Sequence, residues 1–160
     1  MRAVVLGVGN ILLSDEGVGV RAIQKLAHDY RLPAGVEVLD GGTSAMEMLD
    51  DLADADLLVI IDCIRAGAQP GSLIRLTDEQ VPVFLQMKLS PHQVGLSDVL
   101  ATLTLTGESP GRVIIHGVEP ASLETGMELT GVVAETLPDL VAAVVQDLNA
   151  GGYEVQHLYL

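Results

Sequence analysis

Two adjacent carboxylates, Asp15 and Glu16, stand in a loop that begins like a nucleotide-binding turn. The segment GVGNILLSDEGVG, residues 7–19, follows a short apolar run and starts with two glycines, as in a dinucleotide-binding unit. However, Leu12 occupies the position where the G-x-G-x-x-G pattern has its third glycine. Because the loop offers negative charge where a pyrophosphate needs backbone N–H groups, we expect it to bind a cation.

Asp62 and His92 are the other candidate metal ligands. Asp62 ends the most apolar segment of the chain, where a carboxylate is costly unless it is paired or binds a metal. His92 lies in SPHQVGL, which we interpret as part of an irregular loop. With Glu16, these residues make a set of two carboxylates and one imidazole, which leaves positions open and suits zinc or nickel better than magnesium.

Each of these three residues also has an ordinary interpretation. Asp62 can accept N–H bonds from its own loop, Glu16 can be an acid in the first turn of a helix, and His92 can be a solvated loop histidine. Asp15 is interpreted as an acid at a helix start rather than as a ligand. Spacing along the chain does not prove that the three candidates converge.

The segment DGGT, residues 40–43, is a second candidate functional segment. Gly41 and Gly42 permit close approach of a peptide backbone, so we expect substrate binding at these two residues and Thr43. Asp40, at the end of a predicted strand, can position a water molecule as a general base or simply cap the following helix. A tight strand-to-helix turn is the alternative explanation for the whole segment.

The other residues of reactive types have simpler explanations. We expect Cys63 to be a buried small hydrophobic residue rather than a soft metal ligand. His116, on an apolar strand, is expected to be a core histidine with a hydrogen-bond partner. The sequence contains no G-x-S-x-G, H-E-x-x-H or phosphate-binding P-loop motif.

Strand and helix signals alternate along the chain and predict how these residues are positioned. The pattern predicts a mostly parallel sheet between layers of helices, with ligands at the carboxyl ends of the strands. Ser14 is the expected N-cap of the first helix, and Pro138 is expected to kink or break the last one. Residues 77–95 are expected to be irregular. Strands are predicted over residues 2–8, 36–40, 56–64, 71–76 and 112–120, and helices over residues 14–30, 44–52, 96–107 and from about 130.

Length, composition and charge narrow the possible functions. The 160 residues are expected to form a single domain, and the 49% apolar content with only 2% aromatic residues is typical of strands buried between helices. A net charge of −14 argues against nucleic acid as a partner. One cysteine excludes an internal disulfide, and no apolar run reaches the roughly 18 residues of a membrane span. We therefore expect a cytoplasmic protein without a membrane partner.

Five segments together resemble the hydrogenase maturation endopeptidases. GVGNILLSDEGVG, DGGT, IIDCI, SPHQVGL and GVEP stand in the order found in that family, over nearly the full chain. The resemblance implies an α/β/α sandwich around a mixed five-stranded sheet in which the strand over residues 71–76 is antiparallel. It also implies removal of a short C-terminal peptide from the large-subunit precursor of a nickel–iron hydrogenase, once nickel has been inserted.

The resemblance places metal ligands on Glu16, Asp62 and His92, and associates residues 40–43 with cleavage. The expected metal is nickel carried by the substrate, with zinc or cadmium able to take its place in the isolated protein. Two alternatives remain open: a zinc-dependent peptidase of small peptides, and a nickel-delivery module that does not cut. A dinucleotide-binding enzyme ranks third, because Leu12 and the lack of basic residues count against it.

Overall fold

A central five-stranded sheet organises the computed structural model, which describes the backbone of residues 1–87 and 91–159 and the side chains of residues 1–83 and 96–159. Within the described backbone, the strands are β1 (Ala3–Val8), β2 (Tyr30–Arg31), β3 (Val36–Gly42), β4 (Leu57–Cys63), β5 (Leu73–Thr77), β6 (Arg112–Val118) and β7 (Gln156–His157). The helices are α1 (Val18–Asp29), α2 (Leu49–Leu52), α3 (Gln80–Met87), α4 (Pro91–Leu105) and α5 (Gly131–Ala150), with short 3-10 turns over Ser14–Gly17 and Ala45–Met48.

The sheet has the strand order β3-β1-β4-β6-β5. β1 pairs in parallel with both β3 and β4, and β4 pairs in parallel with β6. β5 lies at one edge and runs antiparallel to β6, as predicted for residues 71–76. The carboxyl ends of the four parallel strands therefore share one edge of the sheet, which we call the carboxyl rim.

Two apolar cores fill the spaces between the sheet and the helices on its two faces. Successive residues of a strand point to opposite faces, so Val5 packs with α1 and α5 while Val4 and Leu6 pack with α2 and α4. β1 and β4 are buried along their whole lengths because helices cover both faces. The predicted three-layer α/β/α sandwich with a mostly parallel, mixed five-stranded sheet is confirmed.

A small second sheet, which the sequence did not predict, joins the end of α1 to the C-terminal segment. β2 and β7 pair antiparallel over two residues each, and the rings of Tyr30 and His157 meet edge to face with centroids 4.7 Å apart. Two-residue strands carry too little alternation to be recognised in a sequence. Within the described ranges, no helix combines the length and the apolar character that crossing a membrane requires.

Two predictions about where helices begin were wrong. The first failed because of the backbone geometry at Ser14, and the second because of two prolines. Ser14 is not an N-cap: it has a φ of 54°, and its hydroxyl donates to the carbonyl of Glu124 at 2.7 Å. Residues 77–95 are not simply irregular, because α3 occupies 80–87 and α4 begins at 91. Pro82 and Pro91 stand in the first turns of these helices, where the N–H that proline lacks is not needed.

Pro138 does not break the last helix. α5 continues from Gly131 to Ala150 with this proline inside it. Pro138 is exposed, so the carbonyl of Ala134, which loses its usual helical partner, faces the side of the helix that water can reach. Of the two outcomes expected from the sequence, the break into two helices is therefore wrong.

Candidate active site

Three strands bring the predicted site residues to one rim. β1 lies between β3 and β4, so the loops that follow these three strands adjoin one another. The loop after β1 carries Glu16, the end of β3 carries Asp40, and the end of β4 carries Asp62. The glycine-rich loop after β1 therefore occupies the centre of the site, with the other two residues on either side.

Glycine allows this central loop to pack closely against its own helix. Gly9 has a φ of 128°, and a side chain there would overlap the backbone carbonyl of Glu16. A side chain at Gly19 would overlap the carbonyls of Val8 and Ile61 at the ends of β1 and β4. The glycines that resemble a phosphate-binding pattern thus hold Glu16 and the start of α1 against the sheet.

Asp62 is a buried carboxylate at the carboxyl end of β4. It is 1% exposed, and its Oδ1 accepts the N–H of Cys63 at 2.7 Å. By strand alternation it shares a face with Ile60, which packs in the core beneath α4. The donor is the last residue of β4 itself rather than the loop that the sequence analysis expected, and this bond does not exclude a metal because a carboxylate has several lone pairs.

Glu16 lies half-buried in the 3-10 turn Ser14–Gly17, which packs against β4. The carboxylates at this rim affect the pKa of the Cys63 thiol. Burial raises the pKa of Cys63 far above its ordinary value, and the charges of Asp62, Glu16 and Asp15 raise it further. The charge of Arg65 acts in the opposite direction, but burial and the three carboxylates prevail. Cys63 is a neutral, buried thiol as the sequence analysis predicted.

Asp15 has a structural environment quite different from that of its neighbour Glu16. Its side chain is 1% exposed, and both oxygens accept hydrogen bonds from the segment between β6 and α5. Oδ2 accepts the N–H groups of Ala121 at 2.9 Å and Ser122 at 3.1 Å, and Oδ1 accepts that of Thr130 at 2.8 Å. The Thr130 hydroxyl also lies within 2.8 Å of Oδ2, so the carboxylate is used in joining two loops.

Glu119 is a buried acid whose role the sequence analysis missed. It is 6% exposed, and its Oε1 accepts the N–H groups of Ala66 and Ala68, each at 2.8 Å. The carboxylate thereby fixes the loop that follows Asp62. The available signal was the one used for Asp62, namely an acid directly after a strongly apolar strand.

A cleft of about 430 Å³ separates the loop after β1 from the DGGT segment. Asp40, Gly42 and Thr43 line one side of it, and none of its lining residues is aromatic. Asp40 is exposed, and its Oδ1 accepts the Gly42 N–H at 2.9 Å. Gly41 lies buried beneath the cleft beside Leu6 rather than on its surface. The other lining residues are Gly9, Asn10, Ile11, Leu12 and Val20.

The His92 side chain lies outside the described residues. Position 92 falls within α4, not in the loop that the sequence predicted. Among the side chains that are described, no three His, Cys, Asp or Glu residues form a cluster able to hold a metal. Of the three predicted ligands, the described side chains include Glu16 and Asp62, and their role as ligands stays a prediction.

A second polar cluster lies away from the rim. His116 is buried, and its Nε2 is 2.6 Å from Oδ2 of Asp147, whose carboxylate also accepts two hydrogen bonds from Arg75. Burial lowers the pKa of His116 despite the neighbouring carboxylate. Burial alone would raise the pKa of Asp147, but the hydrogen bonds from Arg75 and His116 lower it. His116 is thus a core histidine with a partner, as predicted.

These features define an α/β sandwich with an acidic carboxyl rim beside an open cleft, in the position where open α/β sheets bind ligands. Comparison with known proteins gives the family. Residues 20–147 match the family model described as hydrogenase maturation protease. The chain belongs to the hydrogenase maturation protease family.

Two relatives and one solved structure match almost the whole chain. Hydrogenase 2 maturation protease of Escherichia coli strain K12 is 46% identical over 155 residues, which are 96% of this chain and 94% of the relative. Hydrogenase expression/formation protein HupD of Rhodobacter capsulatus is 41% identical over 156 residues, which are 96% of this chain and 74% of that protein. The solved structure of hydrogenase maturating endopeptidase HybD from E. coli matches with a TM-score of 0.95 at 45% identity, covering 99% of this chain and 98% of that one.

Proposed function

We propose that this endopeptidase removes a short C-terminal peptide from the large-subunit precursor of a nickel–iron hydrogenase, in the cytoplasm, after nickel has been inserted. The observation that carries the proposal is that the loop after β1, which carries Glu16, and the end of β4, which carries Asp62, lie at one rim beside the cleft that Asp40 lines. The precursor's nickel would be recognised at the carboxylates, and its C-terminal peptide would lie in the cleft. Nickel is then part of the substrate.

The carboxylates fit a divalent cation. The negative potential that raises the pKa of Cys63 comes from Asp62, Glu16 and Asp15, and a bound divalent ion would neutralise it. We propose Glu16 and Asp62 as two of the ligands, following the family resemblance, whereas both oxygens of Asp15 accept hydrogen bonds from the segment before α5. We expect ligand distances of about 2.0–2.2 Å, with zinc or cadmium able to replace nickel in the isolated protein.

We propose His92 as the third ligand because of the direction of α4. The chain that follows α4 hydrogen-bonds at the opposite edge of the sheet, where Asp54 N–H donates to the carbonyl of Glu108 and Gly111 N–H donates to that of Ala55. Because α4 ends there, its first turn points toward the carboxyl rim. An imidazole beside two carboxylates favours nickel or zinc over magnesium.

Asp40 is the proposed general base for cleavage. Its exposed carboxylate lies on the cleft wall, where it can take a proton from the water that attacks the scissile carbonyl. That proton then passes to the leaving amine as the peptide bond breaks. Gly42 and Thr43 beside it line the cleft, and we propose that they position the substrate peptide.

Three substrates test this function: the nickel-loaded precursor, the nickel-free precursor and the free C-terminal peptide. Mass spectrometry should show shortening of the first by the terminal peptide and much slower or no cleavage of the other two. Each tenfold difference in affinity corresponds to about 1.4 kcal/mol, so a metal held by three ligands supplies enough discrimination. Equal cleavage of all three substrates would contradict recognition through nickel and favour a zinc-dependent peptidase of small peptides. Stable binding without cleavage would favour a nickel-delivery module.

A further inference from the structure

We propose that Asp15 is a positioning residue that holds Glu16 in place by fastening the loop after β1 to the start of α5. The inference rests on the proposed function only in taking Glu16 as a metal ligand. Asp15 and Glu16 are neighbours in one 3-10 turn, so the position of the Asp15 peptide determines where the Glu16 side chain begins. Neither the family match nor the DE dipeptide itself assigns a task to the first carboxylate.

The fastening involves both the backbone and the side chain of Asp15. Its N–H donates to the carbonyl of Ser122 at 3.2 Å, while its carboxylate accepts from Ala121, Ser122 and Thr130. A buried carboxylate that accepts several backbone N–H groups is held in one position, because these charge-assisted bonds replace its lost hydration. Removing the charge would leave buried N–H groups without an equivalent acceptor.

Thr130 is the residue through which Asp15 contacts the start of α5. It is the N-cap of α5, yet its side chain makes no capping bond to the helix and is bonded to Asp15 instead. Gly9 closes the other side of the turn, since any side chain there would overlap the Glu16 carbonyl. Glu16 is therefore held between the sheet on one side and the Asp15–Thr130 contact on the other.

The test compares Asp15→Asn with Asp147→Asn. Asp15 contacts the residue before α5, and Asp147 lies near the other end of that helix. Asp147 lies about 25 Å along the helix from Thr130, at 1.5 Å per residue, in the cluster with Arg75 and His116. Both variants are expected to lower the midpoint of thermal unfolding. The readout is the dissociation constant for Cd²⁺ alone, measured by calorimetry on folded protein with no precursor present.

We expect Asp15→Asn to weaken Cd²⁺ binding by about 10- to 100-fold, the usual effect of losing a group that orients a ligand. Asp147→Asn should bind Cd²⁺ within about twofold of the wild type. Equal binding by Asp15→Asn and wild type would overturn the inference, as would equal weakening by both variants or no Cd²⁺ binding by the wild type. Cleavage of the precursor is measured separately. If the wild type cleaves the precursor and Asp15→Asn binds Cd²⁺ as the wild type does, the inference fails and the proposed function stands.

A second variant decides the question if Asp15→Asn does not fold. Thr130→Ala removes the hydroxyl bonds to Asp15 and keeps the Thr130 N–H bond to Oδ1. We expect a smaller effect in the same direction, about two- to fivefold weaker Cd²⁺ binding. Thr136→Ala on the same helix, which removes a hydroxyl bond to the Val132 carbonyl, is the matched control and should leave binding unchanged. Equal affinities for the two threonine variants would overturn the inference.

Discussion

Asp40 is the proposed general base and also accepts a hydrogen bond that shapes its own turn. A substitution can separate these two roles. Its Oδ1 accepts the Gly42 N–H, which helps to shape the DGGT turn beside the cleft. Asparagine keeps a side-chain oxygen that can accept this bond but cannot act as a base at neutral pH. A variant can therefore retain the turn and lose the proposed chemistry.

We expect Asp40→Asn to lower the cleavage rate by about 100-fold or more, the usual contribution of a general base, while binding of the loaded precursor changes little. Single-turnover cleavage and a binding assay measure the two quantities. Glu16→Gln should show the opposite pattern, with weaker binding of the loaded precursor because a proposed ligand is lost. If Asp40→Asn cleaves at the wild-type rate, Asp40 is not the base.

At the same scale, the sequence distinguished some acids better than others. It favoured Glu16 as the ligand over Asp15, and the bonds to Asp15 explain what that residue does. It did not anticipate these bonds, because Thr130 is 115 positions away along the chain and no local pattern records such a contact. Burial of Asp62 was foreseeable because its strand is uniformly apolar.

At the scale of secondary-structure elements, the join between β1 and α1 depends on glycine. Gly9 has a positive φ and no room for a side chain, whereas Gly131 at the start of α5 has no atoms near the position of a Cβ. Gly9 precedes the turn before α1 and Gly131 is the first residue of α5, so the two positions provide a matched comparison of a crowded and an open glycine.

We expect Gly9→Ala to reduce the free energy of unfolding by more than about 1 kcal/mol, since the backbone and the Glu16 carbonyl must both move. Gly131→Ala should be neutral or stabilising by up to about 1 kcal/mol, because alanine restricts the unfolded chain more than glycine. Urea unfolding measures both changes. A stable Gly9→Ala protein would show that the loop after β1 tolerates a different path.

The contact between β6 and α5 predicts a pH dependence of stability. The folded pKa of His116 lies below its ordinary value of 6.5, so the unfolded chain binds more protons as the pH falls past that value. His116 therefore contributes stability that is present above about pH 6.5 and is lost as the pH falls from there toward its folded pKa. Protonation of Asp147, whose pKa is also lowered, destabilises the protein only at more acidic pH.

His116→Gln tests this dependence, because the amide can donate to Asp147 and does not titrate. The free energy of unfolding should fall less between pH 7.5 and pH 5 for the variant than for the wild type. A substitution at the exposed His28 is the control and should leave the wild-type difference in place. The same pH response in His116→Gln would mean that another group is responsible.

The elements themselves were mostly predictable, and the exceptions have physical causes. The strong apolar runs of β1 and β4 identified the buried centre of the sheet, and the alternation of elements identified its parallel topology. The prolines misled the prediction where Pro82 and Pro91 stand in the first turns of helices and where Pro138 lies inside a continuous helix. The antiparallel β5 came from the family resemblance, because its turn signals only permitted that direction.

At the scale of the whole molecule, a net charge of −14 on 160 residues favours self-repulsion. Raising NaCl from about 0.01 M to about 0.15 M shortens the screening length from about 30 Å to about 8 Å. We expect the midpoint of thermal unfolding to rise over this range. Replacing the exposed Asp50 and Glu135 by lysine should reduce the salt response, and an equal response would argue against charge repulsion.

The contact between Asp15 and the segment before α5 also has a consequence for synthesis on the ribosome. Asp15 emerges 115 residues before Thr130, an interval of about 6 to 23 seconds at 5–20 residues per second. During that interval the Asp15 carboxylate lacks its native partner Thr130, and Glu16 is not yet held by that contact. The nascent chain therefore carries Asp15 and Glu16 before the Asp15–Thr130 contact can form, so this loop reaches its final anchoring only when the C-terminal helix begins to dock.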